Sequence, residues 1–290
     1  MKKEIKNLLK EKRVLPKKRF GQNFLISKKV LEKILSAADL KKTDIVLEIG
    51  PGIGILTKEL AKRVRKVIAI EKDQKMVEIL EEVLKILKIR NVEIVQGDIL
   101  KIPISKRRGL AAAEFPAKDY KVVANLPYYI TAICIRKFLE SPNPPNLMVL
   151  MVQKEVGKRI CARPPEMSKI AVFSQFRGKP EIVSSVSKKS FWPSPKVDSV
   201  ILKITPHQYA IFSSTLQKKF TKIVRAGFSQ PRKQLINNFS RELNLSRSNI
   251  EKWLLENNIK PCQRAESLSL EDWLKLTKTS TQYLKCQGGC

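Results

Sequence analysis

A chain of 290 residues with 43% hydrophobic side chains can bury one large core and a smaller second one, which sets aside a disordered or fibrous protein. Its 57 Lys+Arg against 27 Asp+Glu leave a formal charge of +30, a field suited to a polyanion: RNA, DNA or an anionic membrane surface. No stretch approaches the roughly 20 apolar residues that span a bilayer, and the N-terminus lacks a signal-peptide apolar core, so membrane insertion is set aside.

The first 19 residues hold nine Lys/Arg and two Glu. Residues 1–16 are therefore expected to form a basic arm, either touching phosphate or lying as a solvated, partly disordered tail. Further on, Asp44 to Ile49 is a short apolar run ending at Gly50-Pro51-Gly52-Ile53-Gly54, and Ile55 to Val64 then has helical spacing: strand, glycine turn, helix. A second strand, Lys66 to Ile70, ends at Glu71 and precedes an amphipathic helix reaching Leu87. Asn91 to Val95 reads as a third strand ending at Gly97-Asp98, Tyr120 to Ala124 as a fourth and Leu147 to Val152 as a fifth. Strands alternating with helices predict an α/β protein with a doubly wound parallel sheet.

Lys179 to Val186 and Val197 to Ile204 have no long helix between them and are expected to close that sheet as an antiparallel pair. After Pro206-His207 the pattern turns all-helical, with Phe220, Val224 and Phe228 at four-residue spacing. The expected domains are 17–205 and a helical 206–290. Lys218 to Lys233 holds six Lys/Arg and no acid, and is read as an RNA-facing surface in preference to a merely solvated face.

The glycine turn lets backbone approach a ligand and is expected to offer helix N-terminal N–H groups to its negative group. Glu71 stands where a carboxylate takes both hydroxyls of a ribose, and Asp98 where it accepts from an adenine amino group; the alternative for each is a solvated strand end. The spacing suits either a dinucleotide or S-adenosylmethionine. The GxGxG form and the loop after the fourth strand favour the latter.

That loop is Asn125-Leu126-Pro127-Tyr128-Tyr129. The exocyclic amine of adenine is a poor nucleophile because its lone pair is delocalised into the ring, and two acceptors on its protons help to localise it. Asn125 Oδ1 and the Pro127 carbonyl are the expected acceptors, with the tyrosines offering faces for an extruded base. Phe191-Trp192-Pro193-Ser194-Pro195 is a second stiff aromatic segment: either an exposed platform for that base or a turn whose Phe191 and Trp192 cap the core. The sole histidine, His207, falls at the domain junction, so no histidine base is expected, and no metal cluster is visible. Five scattered cysteines argue for reduced thiols in a cytosol-like compartment; Cys286 and Cys290 have a metal-ligand spacing without two further ligands, and a frayed terminus is the preferred reading.

Taken together, Arg19-Phe20-Gly21-Gln22-Asn23-Phe24-Leu25, Glu48-Ile49-Gly50-Pro51-Gly52, Asn125 to Thr131, Phe191 to Ser199 and Arg264-Ala265-Glu266-Ser267-Leu268-Ser269 resemble the ribosomal RNA adenine N6,N6-dimethyltransferase family over residues 17–277. The resemblance implies a Rossmann-like class I methyltransferase fold of seven strands with a small helical domain, and S-adenosyl-L-methionine as methyl donor. It implies dimethylation of two adjacent adenosines in the 3′-terminal hairpin of small-subunit ribosomal RNA, late in subunit assembly. A cytoplasmic monomer without membrane contact is expected. Position by position, Gln22, Asn23, Leu25, Gly50, Gly52, Glu71, Asp98 and Asn125 would hold the cofactor. Asn125, Leu126, Pro127 and Tyr128 would serve the target amine, and Phe191 would stack on the base.

Two departures stand out. Gln230-Pro231-Arg232-Lys233 replaces the family's usual Gln-Arg-Arg-Lys and is expected to shorten or kink a helix, and Met167-Ser168 with Ala171-Val172 replaces a Tyr-Gly pair before Ser-Val. The rival readings are a large-subunit adenine methyltransferase conferring antibiotic resistance, a non-catalytic RNA-binding or transcription-accessory protein on the same fold, and, more distantly, a dehydrogenase.

Overall fold

The computed structural model describes residues 1–17, 21–104, 119–207 and 213–284. Arg19, Phe20 and the Cys286/Cys290 tail thus lie outside the described residues. The chain divides into two compact units, Met1–Lys158 with Gly178–Pro206, and Arg159–Arg177 with His207–Cys290.

In the first unit the order is α1 (Lys2–Glu11), β1 (Phe24–Leu25), α2 (Lys28–Ala37), β2 (Ile45–Ile49), α3 (Ile55–Ala61), β3 (Lys66–Glu71), α4 (Gln74–Ile86) and β4 (Val92–Gln96). Then come β5 (Tyr120–Asn125), α5 (Thr131–Leu139), β6 (Leu147–Gln153) and α6 (Lys154–Ile160). After α7 (Lys169–Arg177) the chain returns through β7 (Gly178–Val186), β8 (Phe191–Trp192) and β9 (Ser199–Pro206). The seven-stranded sheet runs β4-β3-β2-β5-β6-β9-β7. Its first five strands are parallel, and β9 is antiparallel to both β6 and β7, as expected.

Parallel strands covered on both faces need near-continuous apolar runs, and Val67 to Ile70, Val122 to Ala124 and Met148 to Val152 are accordingly almost fully buried. Winding goes outward from β2 to β3 and β4, then returns to β5 on the other side of β2. Where the direction reverses, the connections diverge and leave a crevice at the carboxyl ends of β2 and β5.

Residues read as a basic arm include helix α1. Its Ile5 and Leu9, with Val14, are buried against Phe24, Ile53, Met76 and Ile79. Lys6 Nζ lies 5.5 Å from the Trp192 ring centroid, and Lys12 pairs with Glu82. The partly disordered tail is thereby replaced: apolar residues at i, i+3 and i+4 (Ile5, Leu8, Leu9) give the basic segment a core-seeking face.

The second unit consists of α7, α8 (Ser214–Gly227), α9 (Leu235–Glu242), α10 (Arg247–Glu256) and α11 (Leu270–Leu284). It also takes in Arg159–Arg177, which the sequence reading placed in the catalytic domain. Met167, Ala171, Val172 and Phe176 bury with the helical core, and Phe176 stacks on Phe220 at 3.9 Å between ring centroids. Pro231 lies in the turn between α8 and α9, outside both helices, and so kinks neither. No helix of the described residues is long and apolar enough to cross a membrane.

Candidate active site

The crevice at the β2/β5 switch point is lined by residues from five segments: the chain around β1, Ile34 of α2, the end of β2 with the glycine turn and the start of α3, the end of β3, and the Asn125 loop after β5. Gly50 and Gly52 adopt φ of +67° and +56°, in the left-handed region where a Cβ is strained. A Cβ on Gly52 would also stand 3.1 Å from Phe24 Cε1, and one on Gly50 3.6 Å from Pro127 Cδ, so both glycines keep the cavity walls close.

The glycine N–H groups of this turn, as distinct from the helix N-terminal ones of α3, are engaged within the protein. Gly50 N donates to the Ile70 carbonyl at 2.9 Å, Gly54 N to the Pro51 carbonyl at 3.0 Å, and Gly52 N to Glu71 Oε2 at 3.1 Å. All three glycine donors are committed within the protein. The pyrophosphate of a dinucleotide needs such donors, and it would also meet Glu71 and a second buried acid, Glu48. The arrangement therefore suits a ligand with an adenosine and a cationic end.

Glu71 is 8% exposed, at the end of β3. Burial raises its pKa above the ordinary carboxylate value, against the opposing pull of N–H donors from Asp73, Gly52 and Lys72; Asp73's charge adds to the rise. Oε1 accepts from Lys72 N at 2.8 Å and Asp73 N at 2.9 Å. The carboxylate is thus rigidly aimed, with one acceptor site, on Oε2, left for a hydroxyl donor. Gln22 is anchored on the same corner: its Oε1 accepts from Lys17 N at 2.7 Å and its Nε2 donates to Asp73 Oδ2 at 3.0 Å.

Asn125 closes the opposite wall. Its Nδ2 donates to the Asn23 carbonyl at 3.0 Å, while Asn23 Nδ2 donates to the Gly21 carbonyl at 3.1 Å. With the amide nitrogen tied to backbone, the remaining polar atom of Asn125 is Oδ1, an acceptor only. Leu126 is 2% exposed and donates its N–H to the Met151 carbonyl at 3.2 Å, which fixes the loop to β6. The Pro127 carbonyl accepts from Ile130 N at 3.1 Å, so one of its two lone pairs is already engaged in a turn. Tyr128 lines the cavity and its hydroxyl lies 2.7 Å from Ser199 Oγ; burial raises its pKa, eased by that contact, with Asp198 adding to the rise.

Gln22, Asn23, Leu25, Gly50, Gly52, Glu71, Asn125, Leu126, Pro127 and Tyr128 therefore come together in one cavity. Asp98 and Phe191 do not line it. Asp98 is ion-paired with Lys72 at 2.8 Å; burial works to raise its pKa, but Lys72, the Leu100 N–H and Lys101 outweigh that and lower it. Phe191 is 2% exposed and packs in the core with Leu25, Ile34 and Val186, its backbone paired with Leu25 in a two-stranded ladder. The exposed platform expected of Phe191 is thus corrected to the core-capping alternative: the β1/β8 pairing draws the ring inward. Among the titratable residues lining the cavity, Glu48 was given no role by the sequence. Its signal was one acid inside the otherwise apolar run of β2.

Comparison with known proteins places these features in context. The sequence pattern of the family described as Ribosomal RNA adenine dimethylase matches residues 14–282. "Ribosomal RNA small subunit methyltransferase A" of Dehalococcoides mccartyi is 43% identical over 279 residues, covering 96% of this chain and 93% of that protein. The protein of that name from Caldanaerobacter subterraneus is 41% identical, covering 90% and 95%. Among solved structures, a dimethyladenosine transferase from Plasmodium falciparum superposes with a TM-score of 0.73 at 29% identity, covering 89% of this chain and 98% of that one. The 23S rRNA methyltransferase ErmE superposes with a TM-score of 0.71 at 26% identity, covering 88% and 98%.

Proposed function

Because the chain belongs to the ribosomal RNA adenine dimethylase family, we propose that the cavity at its β2/β5 switch point brings S-adenosylmethionine and the N6 amine of a small-subunit ribosomal RNA adenosine face to face. The chain is an S-adenosylmethionine-dependent ribosomal RNA adenine dimethyltransferase. The name carried by its relatives supports the small subunit as substrate over the large one. Two adjacent adenosines of the 3′-terminal hairpin are the proposed targets, modified in the cytoplasm by a monomer.

The observation that carries this reading is the Asn125 amide, whose nitrogen is held by the Asn23 carbonyl so that an acceptor is left at the cavity wall. S-adenosylmethionine supplies a methyl group on a sulfonium, an electrophile with a good leaving group. Orientation and electrostatics are the protein's share. Glu71 Oε2 would take a ribose hydroxyl, with Gln22, Asn23, Leu25, Gly50 and Gly52 forming the wall around the cofactor and Asp98 at the adenine end. Asn125 Oδ1 accepts one proton of the target amine, and the second lone pair of the Pro127 carbonyl accepts the other, drawing the nitrogen lone pair out of the ring. Tyr128 offers the stacking face, and Phe191 supports the wall from the core behind it. Once methylated, the amine is strongly acidic and its proton passes to water. No histidine takes part: His207 belongs to the second unit, its ring 3.3 Å from the Gln175 carbonyl oxygen.

The test is incubation with labelled S-adenosylmethionine and immature small subunits, with large-subunit RNA in parallel, followed by mapping of the methylated base. Dimethyladenosine in the small-subunit RNA is expected. Methylation confined to large-subunit RNA would move the protein to the resistance-conferring branch, and binding without methylation would leave an accessory protein.

A further inference from the structure

Glu48 stands one residue from the end of β2, is 2% exposed, and its Oε2 has no hydrogen-bond partner. The neighbouring Thr57 hydroxyl is equally buried and has no partner of normal geometry either. Glu48 lines the cavity described above, and among the described residues lining that cavity there is no Lys, Arg or His. The titratable groups sharing it are Glu71 from β3 and Tyr128 from the loop after β5, with the Asp73–Lys17 ion pair behind Glu71. None of these supplies Glu48 with a counter-charge.

A fully desolvated carboxylate without a cation takes up a proton. Burial, eased in part by Thr57 and reinforced by the charge of Glu71, pushes the Glu48 pKa up to about 8. A buried acid aimed into a ligand cavity, with an oxygen left unsatisfied, is costly to the fold unless a ligand uses it.

We propose that Glu48 is a proton-coupled anchor for the cationic part of the methyl donor: neutral in the free protein, and ionised, with its proton released to water, when the cation binds. The proposal rests on S-adenosylmethionine being the cavity's ligand. Two positive centres are available on that molecule, the sulfonium and the α-ammonium, and both present the same chemistry to a carboxyl group. The sign follows from linkage. Below the free-protein pKa of Glu48 a proton must leave on binding, so affinity rises up to tenfold per pH unit toward about 8 and then levels. The ligand's own α-amino group titrates near 8 and acts in the opposite direction, so wild type must be read against Glu48→Gln, which keeps the shape and removes the titration.

The experiment is calorimetric titration of the full chain with S-adenosylmethionine near neutral pH, in buffers of differing ionisation enthalpy. Wild type should release close to one proton more per ligand than Glu48→Gln, and a pH series should find the rise in affinity only in wild type. Infrared difference spectra should show a protonated-carboxyl band that disappears on binding and is missing from the variant. S-adenosylhomocysteine, which keeps the ammonium but has a neutral sulfur, separates the two centres: undiminished release assigns the ammonium, abolished release the sulfonium. Equal proton counts for wild type and Glu48→Gln overturn the proposal. If the variant does not bind, a wild-type enthalpy independent of buffer, with no carboxyl band change, overturns it. Failure of wild type to bind S-adenosylmethionine at all counts against the proposed function and is seen first, in the same titration.

Discussion

The decisive side chains are held by backbone. Because Asn125 Nδ2 is tied to the Asn23 carbonyl, its Oδ1 is presented without reorganisation, and its contribution grows as positive charge develops on the amine. Asn125→Ala should lower single-turnover methylation about 10²- to 10³-fold while leaving RNA affinity within about 2-fold, measured by mass spectrometry of the RNA and a binding titration. Glu71 also accepts backbone N–H groups from Gly52, Lys72 and Asp73. Glu71→Ala should therefore weaken S-adenosylmethionine binding about 10- to 150-fold, the worth of a charge-assisted hydrogen bond, and lower the melting temperature as well. Glu48 has no such donor on its Oε2. Its folded-state pKa is raised to about 8, so the folded chain keeps a proton that the unfolded chain releases. Stability then falls by about 1.4 kcal/mol per pH unit from the ordinary carboxylate range up to about pH 8, where it flattens. Glu48→Gln should melt progressively higher than wild type as pH rises through that window, followed by circular dichroism.

Elements that announce themselves through period were legible in advance: the five parallel strands are apolar runs, and the ends of β2, β3 and β5 located Gly50, Glu71 and Asn125. What escaped depended on long-range pairing. Phe191 is drawn into the core by a two-residue ladder with Leu25, too short to carry any alternation. Arg159–Arg177 has a helical pattern, but pattern does not tell which core a helix joins; stacking of Phe176 on Phe220 does. In α1 the lysines masked an apolar stripe. The stripe can be tested: Leu9, 2% exposed, packs with Phe24 and Met76. Leu9→Ala should cost about 2–5 kcal/mol in urea denaturation, and Lys10→Ala, on the exposed face, close to nothing.

At the scale of the whole molecule, charge governs the encounter with RNA. A formal charge of +30 has to be read as counterions displaced from phosphates, so log affinity should fall with log salt by about 0.7–0.9 per phosphate neutralised. On α8, Lys218, Lys222 and Arg225 are exposed, whereas Lys219 is half-buried and donates to Thr281 Oγ1 at 2.7 Å. Neutralising Lys218 and Lys222 together should flatten the salt slope measured by filter binding; an unchanged slope would move the RNA-facing surface elsewhere. The committed N–H groups of the glycine turn bear on a different problem. An adenosine-reading protein works amid a large excess of ATP and nicotinamide dinucleotides, which offer it the same nucleoside. With the donors of Gly50, Gly52 and Gly54 engaged and the Glu71 carboxylate in the wall, the glycine turn offers a polyphosphate tail few contacts, so selection against these competitors should begin in the backbone. The same logic gives inhibitors a direction: adenosine analogues should gain potency from a positive tail and lose it from a negative one.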